Sequence, residues 1–439
     1  LNMMSGQEFA DMVTANLGEA SAAQLGYNGT IYNTDWQKEV LRTSFSHDYN
    51  LSVGGKAGIL PYRVSVSYTN NQGILKTSSM DRVTAGFNLN PKFFDDHLSV
   101  NANATGTYAR TGNGDTGAVG SAIAFDPTKP VYTNIPMAGN AGLYVYNGYY
   151  NFIPGEGGQN DRNSGINPLQ LLNDVDSHNK TWSSSGNLQL DYSLHFLPEL
   201  HFNLNLGYQV SKNDCTSYTA ANSLQAWRNS GLLANNAAGA ETMYKWHEVQ
   251  RNTMLSFYIN YKKEFEAIKS NLDVTVGYDW QKFSYFGNSN SYVNSLGFLG
   301  PDGANGFGYV NGQYYMDVNP NSSIGQTVGG ADVKDSRWAA PVQLVSFFGR
   351  VNYIFDDTYL LTFTLRDDAS SRFAKDNRWG LFPSLALGWK AINMPVFEDQ
   401  SVMNEWKLRL GWGQTGQQDI GSYFPYMPIY TVSSDPNFQ

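Results

Sequence analysis

The sequence predicts an all-β chain, a transmembrane antiparallel β-barrel preceded by a short N-terminal helix and carrying long extracellular loops. Three observations predict it. Apolar and small polar residues alternate with period two from residue 48 to the last strand, connections are short and long by turns, and no apolar run is long enough for a spanning helix. A spanning helix needs about 20 consecutive apolar residues, and the mean hydropathy is −0.40. Barrel strands alternate and give only a weak hydropathy signal, so the same numbers leave a barrel open.

Composition points the same way. Aromatic residues make up 14% of the 439 positions, glycine occurs 43 times and charged residues are only 15%, against a usual figure of about 25%. The net charge of −9 and the lack of a basic stripe interleaved with aromatics argue against nucleic-acid binding. The single cysteine, Cys215, excludes an internal disulfide, and no Cys/His spacing for structural zinc occurs.

Residues 1–47 read as a helix and connector. Ser5 and Glu8 have capping-box spacing, and Phe9, Met12, Val13 and Leu17 recur at helical intervals, which predicts a helix over about 6–17. A polar connector containing TDWQ at 34–37 follows. Residues 48–439 then read as a barrel segment of about twelve or thirteen strands. Early rows are Tyr49, Leu51, Val53; Tyr62, Val64, Val66, Tyr68; and Val83, Ala85, Phe87, Leu89. Late ones are Val345, Phe347, Val351, Tyr353; Tyr359, Leu361, Phe363, Leu365; and Trp406, Leu408, Leu410, Trp412. So many apolar rows without a second apolar layer need a bilayer against them, with the polar rows lining a wet lumen.

Short connections are expected at 91–97, 195–201, 262–269 and 355–358, and long ones at about 111–181, 211–248 and 287–341. Such barrels keep short turns in the periplasm and long loops outside. In RWGLFPSLALGWK (378–390) one phase reads Trp379, Leu381, Pro383, Leu385, Leu387, Trp389. Ten residues at about 3.3 Å, tilted by about 40°, rise roughly 25 Å, the height of a barrel's apolar band. Trp379, Trp389, Trp406 and Trp412 are therefore expected as membrane-interface anchors. Pro383 cannot donate to a ladder, and a bulge is expected there.

Several stretches together resemble the SusC/RagA-type TonB-dependent outer-membrane transporters: TDWQ (34–37), SVSYTNNQGIL (65–75), RVNYIFDDTYLLTFTLRDDASSRF (350–373), RWGLFPSLALGWK (378–390) and WKLRLGWGQTGQQDIGSY (406–423). They keep the family's order over about 390 residues. The resemblance implies part of a 22-stranded plugged barrel in the outer membrane of a Gram-negative bacterium. It implies active import of an oligomeric nutrient, an oligosaccharide or in some members a peptide. The partners it implies are outer-membrane lipid, a SusD-like surface lipoprotein lid, and TonB, engaged through an N-terminal region outside this chain. On this comparison the chain starts after the plug and runs to about mid-barrel. Ala369 stands where the family tends to have glycine, which would strain the backbone if that position needs positive φ. The alternatives are a passive porin, a barrel-borne surface adhesin, or a soluble lectin sandwich.

No stretch calls for an enzyme. RDDASSRF sets two Asp between two Arg, but a polar turn at the outer end of a strand explains it. The glycine-rich stretches 111–117 and 300–312 lack the lysine and the strand-to-helix setting of a phosphate loop. No cofactor is expected, although loop oxygens leave room for bound calcium. The six histidines are scattered. Tyr144, Tyr146, Tyr149, Tyr150, Trp227, Tyr314 and Tyr315 lie in the long loops, where aromatic rings stack on sugar faces, contact a lid protein or simply pack. Arg350, Asn352, Arg366, Lys407 and Arg409 fall on the lumen-facing phase.

Overall fold

The computed structural model describes residues 3–134, 145–152, 165–226, 242–293, 307–310, 313–316, 336–397, 402–421 and 425–427. No described helix is long and apolar enough to cross a membrane. The strands are β1 Ser46–Ala57, β2 Leu60–Gln72, β3 Ser79–Leu89, β4 Lys92–Phe93, β5 Leu98–Gly112, β6 Val175–Leu194, β7 Leu197–Thr219, β8 Thr242–Phe265, β9 Ser270–Val293, β10 Phe307–Val310, β11 Gln313–Met316, β12 Ser336–Phe355, β13 Tyr359–Ser370, β14 Trp379–Lys390 and β15 Lys407–Gly413. Thirteen of them form one antiparallel sheet in the order β1-β2-β3-β5-β6-β7-β8-β9-β12-β13-β14-β15, with β4 pairing β5; β10 and β11 form a separate hairpin. The sheet is an up-and-down meander in which each long strand follows its sequence neighbour.

The register sorts side chains into two faces. One line of partners reads Tyr261, Val274, Val351, Phe363, Leu385, Trp412, and the next but one reads Ile259, Val276, Gly349, Leu365, Pro383. Between them lies Asn260, Thr275, Arg350, Thr364, Ser384, Gly413. The apolar face is the uncovered one: Leu51, Val53, Val64, Phe87, Val276, Phe347, Phe363, Leu381, Leu387 and Leu410 are all exposed. An apolar surface continuous across the strands is far larger than water-soluble chains leave open, and hydrocarbon is the medium that suits it.

Chemistry at the strand ends fixes the turns. Asp356 (φ 50°) and Asp357 (φ 47°) both occupy the left-handed region that a tight hairpin between β12 and β13 requires. Lys269 and Lys390 hold them, at 2.9 Å and 2.7 Å. The other short turns fall at 58–59, 90–97, 195–196 and 266–269, all at one end of the sheet; the 391–406 connection shares that end and is longer. At the opposite end, two connections, 73–78 and 371–378, are also short. The strands around the long loops run further than the apolar rows indicate: β8 and β9 each have 24 residues. Their extensions are polar and cross-linked, as where Asp214 pairs with His247 at 2.5 Å and with Lys212 at 3.1 Å. Extended polar backbone of this kind stands clear of the apolar band.

The N-terminal segment is folded rather than a loose connector. Because β1 enters from the long-loop end, residues 3–45 sit there and pack on the loops. Helix α1, Gly6–Leu17, carries the capping box: Ser5 Oγ accepts from the Glu8 amide, and Glu8 accepts from the Ser5 amide at 2.7 Å. Its buried face is Gly6, Ala10 and Val13, whereas Met12 and Leu17 are exposed. The small residues win because backbone lies against them; a Cβ on Gly6 would come within 1.9 Å of the Tyr32 carbonyl oxygen. After the short α2, Glu19–Ala22, Asp35 caps α3, Trp36–Val40. Trp36 and Val40 then build a small core with Leu75, Ala118 and Ala122 of α4 (Gly117–Ala124), Phe125, and Leu171 and Leu172 of α5 (Pro168–Asn173).

Pro383 sits in β14 without a bulge: the pairing with β13 runs unbroken from Tyr359↔Trp389 to Ala369↔Trp379. Its carbonyl accepts from the Gln414 amide at 3.0 Å, so its backbone polar side faces β15. The β14–β15 ladder ends one residue earlier, at Ser384↔Gly413. The missing donor therefore falls at the fraying end of the ladder, where the Gln414 amide supplies the last bond. Ala369 is extended within β13 and has no positive φ, so alanine is unstrained there.

Candidate functional site

The polar face carries the chemistry, and its densest part lies at the long-loop end of β9, β12, β13 and β14. Arg366 donates through Nε to Asp368 Oδ1 at 2.6 Å and approaches Asp279 Oδ2 at 3.4 Å. Asp279 also accepts from Ser256 Oγ at 2.5 Å. The Arg366 guanidinium lies 5.6 Å from the Phe348 ring centroid. These groups surround a notch of about 380 Å³ whose wall includes Gln281, Ser346, Phe382 and Gln418. The tip of Phe382 packs against two glycines, since a Cβ on Gly380 or Gly416 would stand 2.8 or 2.5 Å from its Cζ. Beside it, Arg372 pairs with Asp419 and Arg378 Nε donates to the Phe373 carbonyl at 3.1 Å. RDDASSRF is thus the rim of this notch as well as a turn.

Of the residues expected on the lumen phase, Arg350, Asn352, Arg366, Lys407 and Arg409 all fall on the polar face. Arg350 reaches Thr364 Oγ1 at 3.4 Å, and Asn352 Oδ1 accepts from Thr362 at 2.9 Å. Lys407 and Arg409 lie opposite Lys390 and Gly388. Only Arg366 joins the notch. Sequence reasoning missed Phe382, Gln281 and Asp279; the signal available was the aromatic interrupting the Gly, Ser, Ala phase of β14.

The tryptophans divide. Trp379 lies at the long-loop end of β14, exposed and stacked on Phe347 at 6.1 Å. Trp389, at the other end, meets Trp406 at 6.3 Å, and Trp406 packs edge-on against Phe397 at 5.1 Å. Trp412 contradicts its expectation as an end anchor. It pairs with Leu385, at the middle of the apolar row, because β15 stops short of the long-loop end.

Among the loop aromatics, Tyr146 and Tyr149 are buried at 6% and 8% exposure. Tyr150 packs edge-on against Tyr27 at 5.6 Å and against Phe152. Burial pushes the phenols of Tyr149 and Tyr150 up to about 12. Tyr146 and Tyr149 lie in the interior of the loop assembly, closed to a substrate, which corrects the stacking expectation for those two; Tyr150 is half-buried against that core. Tyr144 and Trp227 lie outside the described residues, and for Tyr314 and Tyr315 only the strand pairing of β10 with β11 is described. Among the described residues no three His, Cys, Asp or Glu gather as metal ligands.

An antiparallel sheet with an apolar outer face and a polar inner one defines the wall of an outer-membrane β-barrel. No family model matches the chain. It is 36% identical to the TonB-dependent receptor SusC of Bacteroides thetaiotaomicron over 99% of its own length and 39% of that protein's. To the TonB-dependent receptor P3 of Formosa agariphila it is 27% identical, over 92% of its length and 36% of the relative's. Among solved structures, a chain of the RagAB peptide transporter superposes with a TM-score of 0.63 at 16% identity, covering 94% of this chain and 42% of that one. The RagAB peptide importer in its open-open state gives 0.63 at 18% identity, with 96% and 43% covered. The chain belongs to the SusC/RagA-type TonB-dependent outer-membrane receptors, and it spans about two fifths of the length of the relatives it matches.

Proposed function

We propose that the protein containing this chain imports an oligomeric nutrient across the outer membrane, drawing energy through TonB and working with a SusD-like lipoprotein over its extracellular mouth. The observation that carries the reading is the 36% identity to a TonB-dependent receptor along 99% of the chain. The sheet described here supplies the wall: its apolar face seats the barrel in lipid, and its polar face gives a passing solute hydrogen-bonding partners. The loop assembly of residues 3–45, 113–134 and 165–174 offers an ordered platform at the end where a lid would rest. An oligosaccharide is the favoured cargo and a peptide the rival. None of these roles calls on bond-making chemistry.

Growth tests the reading. A strain lacking the gene should fail on one class of oligosaccharide or peptide as sole nutrient and recover with the gene restored, and loss of TonB should reproduce the defect. Normal growth of the deletion strain on every member of a broad glycan and peptide panel would remove nutrient import as the main role. Uptake that persists without TonB would instead favour a passive porin.

A further inference from the structure

We infer that the notch around Phe382 is a binding subsite for one ring of a neutral sugar chain on its way through the lumen; this rests on the import reading above. The first argument is charge. Arg366 faces Asp368 and Asp279, Arg372 pairs with Asp419 beside the notch, and Arg378 donates to a backbone carbonyl, so the two arginines and two aspartates on the notch wall sum to zero charge. A charged ligand would have to unbalance that sum. A neutral one need not.

The second argument is what remains unspent. The side-chain amides of Gln281 and Gln418 have no partner among the described residues, and the paired carboxylates keep free lone pairs, since each oxygen accepts more than one bond. Amides and carboxylates set side by side both donate to and accept from vicinal hydroxyls, the pattern a pyranose presents. The third is shape. Phe382 is the one aromatic ring that the polar phase of β14 supplies, and its tip packs against Gly380 and Gly416, where any larger side chain would collide with it. An aromatic ring beside hydroxyl-binding groups suits the C–H face of a sugar. The volume of about 380 Å³ accommodates a ring or two and not a folded segment of protein.

The test uses the full-length, plug-containing protein in detergent, titrated calorimetrically with neutral hexasaccharides of glucose, xylose, mannose and galactose and with a neutral hexapeptide. Phe382→Ala should weaken the bound glycan about tenfold, or about 1.4 kcal/mol. Gly416→Ala, which displaces the ring, should weaken it similarly. Phe382→Tyr should bind normally, and Asp367→Asn on the opposite face should have no effect. Retained heat-modifiable migration shows that each variant folds. If no glycan binds, if the peptide alone binds, or if Phe382→Ala shifts the unfolding midpoint and leaves glycan affinity intact, the subsite is wrong. The import reading fails separately, by the growth of the deletion strain.

Discussion

Lys129 Nζ donates to the Gly26 carbonyl oxygen at 2.7 Å and to that of Gln24 at 3.0 Å, joining segments more than 100 residues apart. Its side chain is buried, with Asp126 at 3.9 Å and the Tyr150 ring 5.9 Å away. This one ammonium ties the N-terminal segment to the loop after β5. Lys129→Met removes the donor while keeping the bulk and leaves buried carbonyls unpaired, a loss of about 1–3 kcal/mol. Amide exchange over residues 24–34 and 126–134 should quicken together, with the barrel strands unchanged.

Asp174 gives the loop assembly a pH dependence. Burial pushes its carboxyl up to about 6, although Asn147 and Gln170 donate to it at 3.0 and 2.8 Å. The folded loop therefore binds a proton more tightly than the unfolded chain, whose carboxyl titrates near 3.9. Its contribution is fully present below about pH 4, declines as pH rises through about 6, and is gone above that. Exchange of residues 145–152, corrected for intrinsic rate, should be slower at pH 5 than at pH 7.5. Asp174→Asn should remove the difference.

Pro383 should be nearly silent. Its nitrogen faces the β15 side one step beyond the ladder's end, so Pro383→Ala should change the unfolding midpoint little. Leu385 has its backbone on the same side but inside the ladder, opposite Trp412. Leu385→Pro removes a donor there, leaves a carbonyl unpaired in lipid, and should cost about 1–3 kcal/mol in an unfolding titration.

Neighbours on β14 should answer oppositely to charge. Leu385→Arg places a guanidinium near the middle of the apolar band, at about 2–4 kcal/mol. Ser384→Arg puts the same group on the polar face and should fold normally. Folding yield and heat-modifiable migration of the full-length protein report both.

The alternation that defines the sheet was legible because each strand's two faces meet different media, so residues such as Leu381 and Ser384 announce their sides. The notch was not. Asp279, Arg366 and Phe382 come from three strands and lie 87 and 16 positions apart, and only the register of β9, β12, β13 and β14 brings them together. Tyr146 and Tyr149 misled for a related reason. An aromatic in a polar loop looks like a contact residue until the loop's own core, around Asn167 and Leu172, accounts for it. Gly6 and Ala10 were overlooked because close backbone packing favours the residues that hydrophobic periodicity weighs least.

The central claim is that one face of this sheet meets lipid and the other a watery lumen. Single cysteines at 381, 384, 385, 386 and 387, placed in full-length protein carrying Cys215→Ser and reconstituted in vesicles, test it directly. Those at 384 and 386 should react with a water-soluble maleimide, while probes at 381, 385 and 387 should resist it and be quenched by brominated acyl chains. Equal labelling along the strand, or quenching at 384 and 386, would contradict the account.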